Sequence, residues 1–193
     1  MNSPDLLESL AQPARDALFL NQDTAYRTLV PRGPGNRQAF ALLASLSPET
    51  VLKSRPRKIE MAAAILAGLW LWHDCLDESH RLAQEIHNPT GSFWHAIIHR
   101  REGDFWNSKY WLNRCAGHPA LPGITRAATA VIHNAPADKR LLRLTLGDWD
   151  ASGFVDLVEA VHDRTDDPSH GAIVELQRAE WRGLFEYCLK EAL

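Results

Sequence analysis

The chain has 193 residues, of which 45% are apolar and 23% are charged. This length and composition predict one globular domain, residues 1–193, with a hydrophobic core, and they exclude a disordered chain. The net charge of -3 provides no concentrated basic surface for phosphates, so we expect no nucleic-acid partner.

Cysteine usage and hydropathy predict a protein of the reducing cytoplasm. Cys75, Cys115 and Cys188 are scattered, odd in number and without a C-x-x-C pair, which argues against a disulfide framework and against a zinc knuckle. The N-terminal stretch MNSPDLLESL carries acids where a signal peptide carries cations. The longest apolar run, residues 61–72, is too short to cross a bilayer, so no membrane association is expected.

Helical periodicity dominates the chain and predicts an all-α fold. In the N-terminal part, Asp5 to Leu20 has the pattern of a helix that is interrupted near Pro13, and the PRGPG stretch at 31–35 forms a loop by its Pro and Gly content. Residues 37–46 form a second predicted helix. A third begins at Ser47, where a Ser cap precedes a Pro in the first turn.

The C-terminal part contains two predicted helices after an irregular connection. Residues 120–150 are rich in Pro and Gly and only weakly periodic, so we expect an irregular segment with at most one short helix. The single strand candidate is LLRLTL, residues 141–146. Residues 151–193 then hold helices over 152–163 and 170–192, the second with apolar residues at helical spacing.

Residues 70–118 are the chemical centre of the sequence. They make up a quarter of the chain but contain six of its nine histidines and five of its seven tryptophans. Ser92 is a favourable helix start. Gly103 readily adopts the left-handed backbone conformation that ends a helix, and Asp104 can cap the next helix. The pattern predicts a helical hairpin that runs from about residue 92 to residue 116.

The stretch GDFWNSKYWLNRCAGHP, residues 103–119, resembles the second helix of a tetratricopeptide repeat, which combines a Gly-Asp turn, an aromatic residue, a small residue and a closing Pro. The preceding stretch AGLWLWHDCLDESHRLAQEIHNP, residues 67–89, resembles the same unit. A shift of 29 residues aligns LDES with FWNS and Ala67 with Ala96. The resemblance covers about residues 60–119. The wider run around it is also similar to a bacterial family of unassigned function, which implies no mechanism.

The resemblance implies antiparallel helical hairpins, at about 60–87 and 92–116, in a right-handed helical repeat that additional N- and C-terminal helices cover. It also implies an interaction or ligand-binding role. The repeat here is shorter than the family's period of about 34 residues, so the linking loop must be short. His95 and His99 replace residues that point into the hairpin in the family, so we expect both histidines to be buried.

Two polar stripes follow the central helices at helical spacing. His95, His99 and Glu102 stand at i, i+4 and i+7, and a similar stripe begins with Asp77 and His80 on the preceding helix. If the stripes face each other, nitrogen and oxygen ligands converge between the helices, as they do in the metal sites of helical bundles. The candidate residues are Asp77, His80, His95, His99 and Glu102.

These residues allow two interpretations. One is a structural network of imidazoles and carboxylates, packed under Trp94 and Trp111, in which hydrogen bonds offset the cost of burial. The other is a catalytic site or a site for a divalent metal ion. The spacings differ from the H-E-x-x-H signature of zinc proteins, so the sequence itself requires no cofactor, and a divalent metal remains an alternative.

A second candidate site is a ligand-binding groove. The resemblance to the repeat family places Arg100 and Arg101 on the concave face, together with Trp72, Phe93 and Ile97. Two guanidinium groups over an apolar floor suit a peptide or small molecule with a carboxylate or phosphate, because arginine donates to such groups bidentately. The alternative is a solvated charged face without a ligand.

Two function classes follow from these sites. The first is an intracellular helical-repeat module that binds a protein, a peptide or a small anionic ligand. The second is a small-molecule enzyme or metalloprotein that uses the central His, Asp and Glu residues. No complete catalytic motif of the nucleophile-elbow or Walker type occurs in the chain, so the sequence leaves both classes open and predicts no oligomeric state.

Overall fold

The computed structural model describes residues 6–193 of the chain. Over this range the chain is helical and contains no β-strand, which confirms the predicted all-α fold class. Ten helices lie entirely within the described residues: α1 Gln12–Phe19, α2 Arg37–Leu43, α3 Ile59–Trp72, α4 Leu76–Ala83, α5 Pro89–Glu102, α6 Phe105–Leu112, α7 Leu121–His133, α8 Lys139–Arg143, α9 Ala151–Val161 and α10 His170–Ala192.

The helices near both ends of the chain follow the sequence pattern closely. Helix α1 begins at Gln12 with Pro13 in its first turn, which confirms an interruption near Pro13. Asp5, the predicted start, lies outside the described residues. The predicted helix over 37–46 ends earlier, at Leu43. The two predicted C-terminal helices are confirmed as α9 and α10.

No helix begins at Ser47 in the described chain, in contrast to the prediction. The Ser47 carbonyl accepts hydrogen bonds from the amides of Thr50 and Val51, both at 3.0 Å, and the helical geometry ends with this single turn. Leu52 then pairs with Leu10 in an isolated antiparallel bridge, where both side chains are buried. Burial of these two residues in an extended conformation overrides the local helix-start signal.

Residues 120–150 are not an irregular connection, so this prediction is wrong. They contain α7, a helix of 13 residues, and the short α8. Pro122 and Gly123 lie in the first turn of α7, where the amide that proline lacks has no helical acceptor in any case. The strand candidate at 141–146 overlaps α8, which Asp138 caps by accepting a hydrogen bond from a backbone amide at 2.8 Å.

The central helices form two pairs with a repeated geometry. Helix α3 packs against α4, and α5 packs against α6. In the first pair the Ser79 hydroxyl donates a hydrogen bond to the Ala67 carbonyl at 2.8 Å, and in the second Ser108 donates to the Ala96 carbonyl at 2.7 Å. The equivalent residues are 29 positions apart, which is the shift at which the sequence aligns with itself.

The turns inside the two pairs also correspond. Gly103 ends α5 in the left-handed conformation, with a φ of 80°, as predicted. Asp74, 29 residues earlier in the chain, has a φ of 61° in the turn between α3 and α4. Asp104 then caps α6, because its carboxylate accepts a hydrogen bond from the Asn107 amide at 3.2 Å. These short turns set the close approach of the paired helices.

Helix α5 begins at Pro89, three residues before the predicted start at Ser92. The Asn88 side chain caps it by accepting hydrogen bonds from the amides of Thr90, at 2.9 Å, and Gly91, at 3.1 Å. Asn at the cap followed by Pro in the first turn is a favourable helix start. Most of α5 is buried, because it packs against α3, α4 and α6, and its histidines therefore lie in the interior.

The long helix α10 closes the core. It packs against α3 and α7, and the Trp181 ring lies 4.4 Å from the ring of Trp72 and 6.4 Å from that of Trp94, between centroids. The Trp181 indole Nε1 donates a hydrogen bond to the Gly68 carbonyl at 2.9 Å. Within residues 6–193, none of the helices has the combination of length and hydropathy that spanning a bilayer requires.

A buried histidine joins the second helix pair to α7. His118 is 2% exposed. Its Nδ1 accepts a hydrogen bond from the Ala120 amide at 3.1 Å, so Nε2 carries the proton and donates to the Thr90 hydroxyl at 3.0 Å. The rings of Phe93 and Tyr187 pack edge-on against the imidazole. Burial lowers the pKa of His118 to about 4, so the ring is neutral at physiological pH.

Acidification is expected to weaken the fold through His118. The pKa of this residue is about 4 in the folded chain and about 6.5 in an unfolded one, so between these values only the unfolded chain takes up the proton. The free energy of unfolding should fall as the pH drops below 6.5. The loss from this one group, about 3 kcal/mol, should be complete near pH 4. Urea unfolding at pH 7, 6 and 5 measures it.

The variant His118→Asn keeps an acceptor for the Ala120 amide. It should be less stable than the wild type at pH 7, because the contact with Thr90 is lost, but it should show a smaller further loss on acidification. His133→Asn, at an exposed position, is the control and should keep the pH dependence of the wild type. An equal pH dependence of His118→Asn and the wild type would contradict the prediction.

Candidate metal site

Three histidines converge between α4 and α5. His80 lies on α4, and His95 and His99 lie on successive turns of α5. One possible ligand nitrogen from each lies within 4.8 Å of the others. The ring of His80 crosses the other two edge-on, at centroid distances of 4.7 Å from His95 and 4.9 Å from His99. The two polar stripes of the sequence therefore face each other in the fold.

Glu102 connects two of these histidines. Its Oε1 accepts a hydrogen bond from His80 Nδ1 at 3.2 Å, and its Oε2 lies 2.8 Å from His99 Nδ1, a contact that lacks hydrogen-bond geometry. Burial opposes ionisation of Glu102, but the imidazoles of His80 and His99 outweigh it and lower the pKa of the carboxyl to about 2. The hydrogen bond to Glu102 also raises the pKa of His80. The ionised carboxylate thus faces the Nδ1 side of both rings.

His95 differs from the other two histidines because it has no polar partner. It is 4% exposed, and its ring stacks on Trp111 at a centroid distance of 4.3 Å. Neither ring nitrogen has a hydrogen-bond partner among the described residues. Burial, and after it the neighbouring imidazoles of His80 and His99, lower the pKa of His95 to about 4. The ring is therefore neutral at physiological pH, which is the form in which imidazole binds a metal.

The donor set suits a transition-metal ion of the zinc class. Three imidazoles and a nearby carboxylate favour Zn²⁺, Co²⁺, Cu²⁺ or Ni²⁺ over Mg²⁺ and Ca²⁺, which prefer oxygen ligands. Metal–nitrogen distances of about 2.0–2.1 Å require ligand atoms about 3.4 Å apart. Side-chain rotations must therefore bring nitrogens that lie up to 4.8 Å apart closer by up to about 1.4 Å. His99 Nε2 lies 3.3 Å from the side-chain Nδ2 of Asn107, and this side chain must move if Nε2 binds a metal.

Asp77 is separated from this cluster. It lies in the first turn of α4, one turn before His80, and it is exposed. Within residues 6–193, no hydrogen bond or ion pair joins its carboxylate to the three rings. The fold therefore brings together four of the five predicted residues, namely His80, His95, His99 and Glu102, and leaves Asp77 at the surface.

The five residues of the predicted groove are interior residues. Trp72, Phe93, Ile97, Arg100 and Arg101 are each no more than 4% exposed, so they do not form an open groove together, although Trp72 lines a separate pocket beside Trp181. The resemblance to helical repeats placed the two arginines on a concave face. In the fold their charges are instead compensated inside the protein, which makes all five residues part of the core.

Each buried arginine has a carboxylate and an aromatic ring as neighbours. Arg100 forms an ion pair with Glu180 of α10, and Arg101 forms one with Asp74. Both guanidinium groups lie over aromatic rings, at 4.6 and 3.9 Å from the ring centroids. A desolvated charge requires such partners. The carboxylates lie 80 and 27 residues away in the chain, so no local pattern reveals them.

A pocket of about 520 Å³ adjoins the histidine cluster at His95. Gln84, Asn88 and Arg114 are among the polar side chains that line it. The sequence offers a signal only for Asn88, whose Asn-Pro pair marks a helix start. Arg114 lies beyond the polar stripes, and its position at the pocket follows from the packing of α6 on α5.

Comparisons of the chain with family models, with curated proteins and with solved structures find no match.

Proposed function

We propose that this chain is a helical-repeat protein that binds one divalent transition-metal ion through His80, His95 and His99. One observation carries the proposal: a possible ligand nitrogen from each of the three lies within 4.8 Å of the others. Of the cluster's ring nitrogens, His99 Nδ1 is buried without a hydrogen-bond partner, and a buried nitrogen in that state costs about 1–3 kcal/mol. A metal ion would give each of the three rings a common partner.

Glu102 is proposed to orient the ligands. Its carboxylate faces the Nδ1 atoms of His80 and His99, and a neutral imidazole whose Nδ1 carries the proton offers its Nε2 lone pair to a metal. His95 lacks such a partner and is the least constrained ligand. Three protein ligands leave a coordination position open, and a zinc ion in such a site acts as a Lewis acid.

The arrangement of α3 to α6 is proposed to be tetratricopeptide-like and right-handed. Its support is the shared register of Ser79 with Ser108 and of Asp74 with Gly103. The repeat is shorter than the period of about 34 residues of that family, in keeping with the short turns between the helices. The flanking helices cover faces that two hairpins alone leave open.

Binding of a protein or peptide partner is a second candidate function. Trp106 is 78% exposed and stacks on Tyr110, with 6.2 Å between the ring centroids, on the outer face of α6. Aromatic residues of this kind are enriched in interaction surfaces. The pair therefore makes the outer face of α6 a candidate surface for a partner.

A cytoplasmic location is proposed for the protein. Its support is the state of Cys75, Cys115 and Cys188, which are unpaired and buried. Reduced cysteines are typical of proteins in a reducing compartment.

Metal content tests the proposed function directly. Wild-type protein is expected to contain one zinc ion when purified without chelators, or to bind one when zinc is added, as measured by elemental mass spectrometry and calorimetry. The variant His80→Gln should bind zinc about 100-fold more weakly, because one of three ligands is lost, and Glu102→Gln about 10–100-fold more weakly, the range for residues that orient metal ligands. Magnesium should not compete.

The variant His133→Gln is the matched control, because His133 is exposed and lies outside the cluster. It should bind zinc as the wild type does. Circular dichroism of each metal-free variant shows whether a loss of binding reflects unfolding. Absence of bound metal in the wild type, both as purified and after zinc is added, would remove the proposal and leave a structural network of imidazoles.

A further inference from the structure

The pocket beside His95 has the size and lining of a small-molecule site. It measures about 520 Å³, within the range of about 300–1,000 Å³ for ligand pockets. Ala83, Ile86 and Pro89 supply an apolar wall, and the Trp111 ring forms another. A small organic ligand can therefore bury an apolar portion against these groups.

The charge of the pocket lining favours an anion. Arg114 lines the pocket and no carboxylate of residues 6–193 does, although acids outnumber bases in the chain by 24 to 21. Arg114 has no ion-pair partner in the described part of the chain. Its Nη1 donates to the Tyr110 hydroxyl at 2.9 Å, which leaves the other N–H donors of the guanidinium for a carboxylate or phosphate.

The start of α5 adds a positive field without supplying hydrogen bonds. Asn88 and Ser92 line the pocket and belong to the N-terminal end of α5, where the helix dipole favours negative charge. The amides of Thr90 and Gly91 already donate to the Asn88 side chain. Direct contacts with a ligand must therefore come from side chains, chiefly from Arg114.

His95 connects the pocket to the proposed metal site. It lines the pocket, it is 4% exposed, and neither of its nitrogens has a hydrogen-bond partner among the described residues. Unlike His99 Nδ1, which is buried without a hydrogen-bond partner, the His95 nitrogens are not sealed from solvent. A molecule bound in the pocket can therefore reach this imidazole.

We infer that this pocket binds a small organic oxyanion, a carboxylate or a phosphate ester, which extends from Arg114 to the metal ion at His95. The guanidinium binds the anionic oxygens, the apolar wall contacts the organic portion, and a polar atom of the ligand reaches the coordination position that the three histidines leave open. This inference rests on the proposed metal site, whereas anion binding by Arg114 does not depend on the metal.

Cobalt-loaded protein provides the test, because the visible absorption of Co²⁺ reports its coordination. Benzoate and phenyl phosphate are the probes, one a carboxylate and one a phosphate ester. We expect saturable changes in the absorption of the wild type with at least one probe, and about tenfold weaker binding to Arg114→Gln. Arg114→Lys keeps the charge but not the planar fork and should be intermediate. Arg32→Gln, at an exposed position outside the pocket, should match the wild type.

No saturable change with either probe, or equal affinities of Arg114→Gln and the wild type, would overturn the inference. If circular dichroism shows that Arg114→Gln does not fold, the affinity of Arg114→Lys is compared with that of the wild type instead. Equal affinities of these two proteins would likewise overturn the inference. Failure of the protein to bind cobalt would remove the proposed function instead. Calorimetry of the metal-free protein with phenyl phosphate then tests whether the pocket binds an anion without a metal. Binding that depends on Arg114 supports an anion site, and absence of binding excludes it.

Discussion

Replacing Glu180 with alanine is expected to lower the free energy of unfolding by about 3–5 kcal/mol, a large part of the stability of a single domain. Glu180 is fully buried, and its two carboxylate oxygens pair with the Arg100 guanidinium and with Trp149 Nε1, the latter at 2.8 Å. The substitution leaves the Arg100 charge in the interior, where its Nε already lacks a partner among the described residues. An uncompensated buried charge causes the large effect, which urea unfolding followed by circular dichroism measures.

The double variant Arg100→Met, Glu180→Leu separates the loss of a charge partner from the loss of packing. It removes both charges, so it should be more stable than the single variants Arg100→Met and Glu180→Leu. The exposed pair of Lys109 and Asp156 is the control, and Asp156→Ala should change stability by less than about 1 kcal/mol. Strictly additive effects of the two core substitutions would show that the charges are not coupled.

A methyl group at Gly91 is expected to destabilise the fold by about 3 kcal/mol and to disturb the histidine cluster. A Cβ atom at this position would lie 2.0 Å from the Ile86 carbonyl oxygen and 2.7 Å from the Ile86 Cβ. The carbonyl is held in place because it accepts a hydrogen bond from the Asn88 amide at 2.9 Å, and Asn88 caps α5. Relief of the overlap requires a shift of α5, the helix that carries His95. Thermal and urea unfolding of Gly91→Ala measure the loss of stability. The zinc affinity of the variant measures the disturbance of the histidine cluster.

Gly171→Ala is the matched control for this substitution. Apart from its chain neighbours and the backbone of its own helix, no atom lies within 4 Å of a Cβ built at Gly171, in the first turn of α10. Alanine also has the higher helix propensity, so the change should be neutral or should stabilise the protein by up to about 1 kcal/mol. Wild-type stability of Gly91→Ala would mean that the start of α5 is far more adaptable than its contacts indicate.

Local signals in the sequence determined the helix ends that depend on neighbouring residues. Gly103 and Asp104 mark the turn between α5 and α6, because a left-handed residue and a carboxylate cap act within one helical turn. The self-alignment at a shift of 29 residues also indicated the close contacts of Ser79 and Ser108, since small residues are required where two helices approach closely. The bounds of α10 follow equally from the spacing of its apolar residues.

Tertiary packing decided between alternatives that the local pattern did not distinguish. Pro122 and Gly123 are typical of a loop and also of the first turn of a helix. The helix forms because α7 packs closely on α10. Gly183 of α10 permits this approach, since a Cβ atom there would lie 2.5 Å from the fully buried Ile124 side chain of α7. Burial of this face stabilises α7, and no feature of residues 120–150 alone shows that α10 is the partner.

The histidine cluster was partly predictable for a simple geometric reason. The spacing of His95, His99 and Glu102 places them on one face of α5, and the alignment of the two helix pairs brings His80 opposite that face. The same spacing rule included Asp77, which is exposed in the fold. A periodic pattern selects a face of a helix, but it does not show how far along that face the neighbouring helix extends.

The two arginines show what only the tertiary structure decided. The sequence determined that Arg100 and Arg101 lie at the end of a helix, where such charges are normally solvated. Their burial depends on Glu180 and Asp74, which lie 80 and 27 residues away in the chain. Because the cost of desolvating a charge is offset only by a partner at contact distance, the packed fold, and no local pattern, selects which charges enter the core.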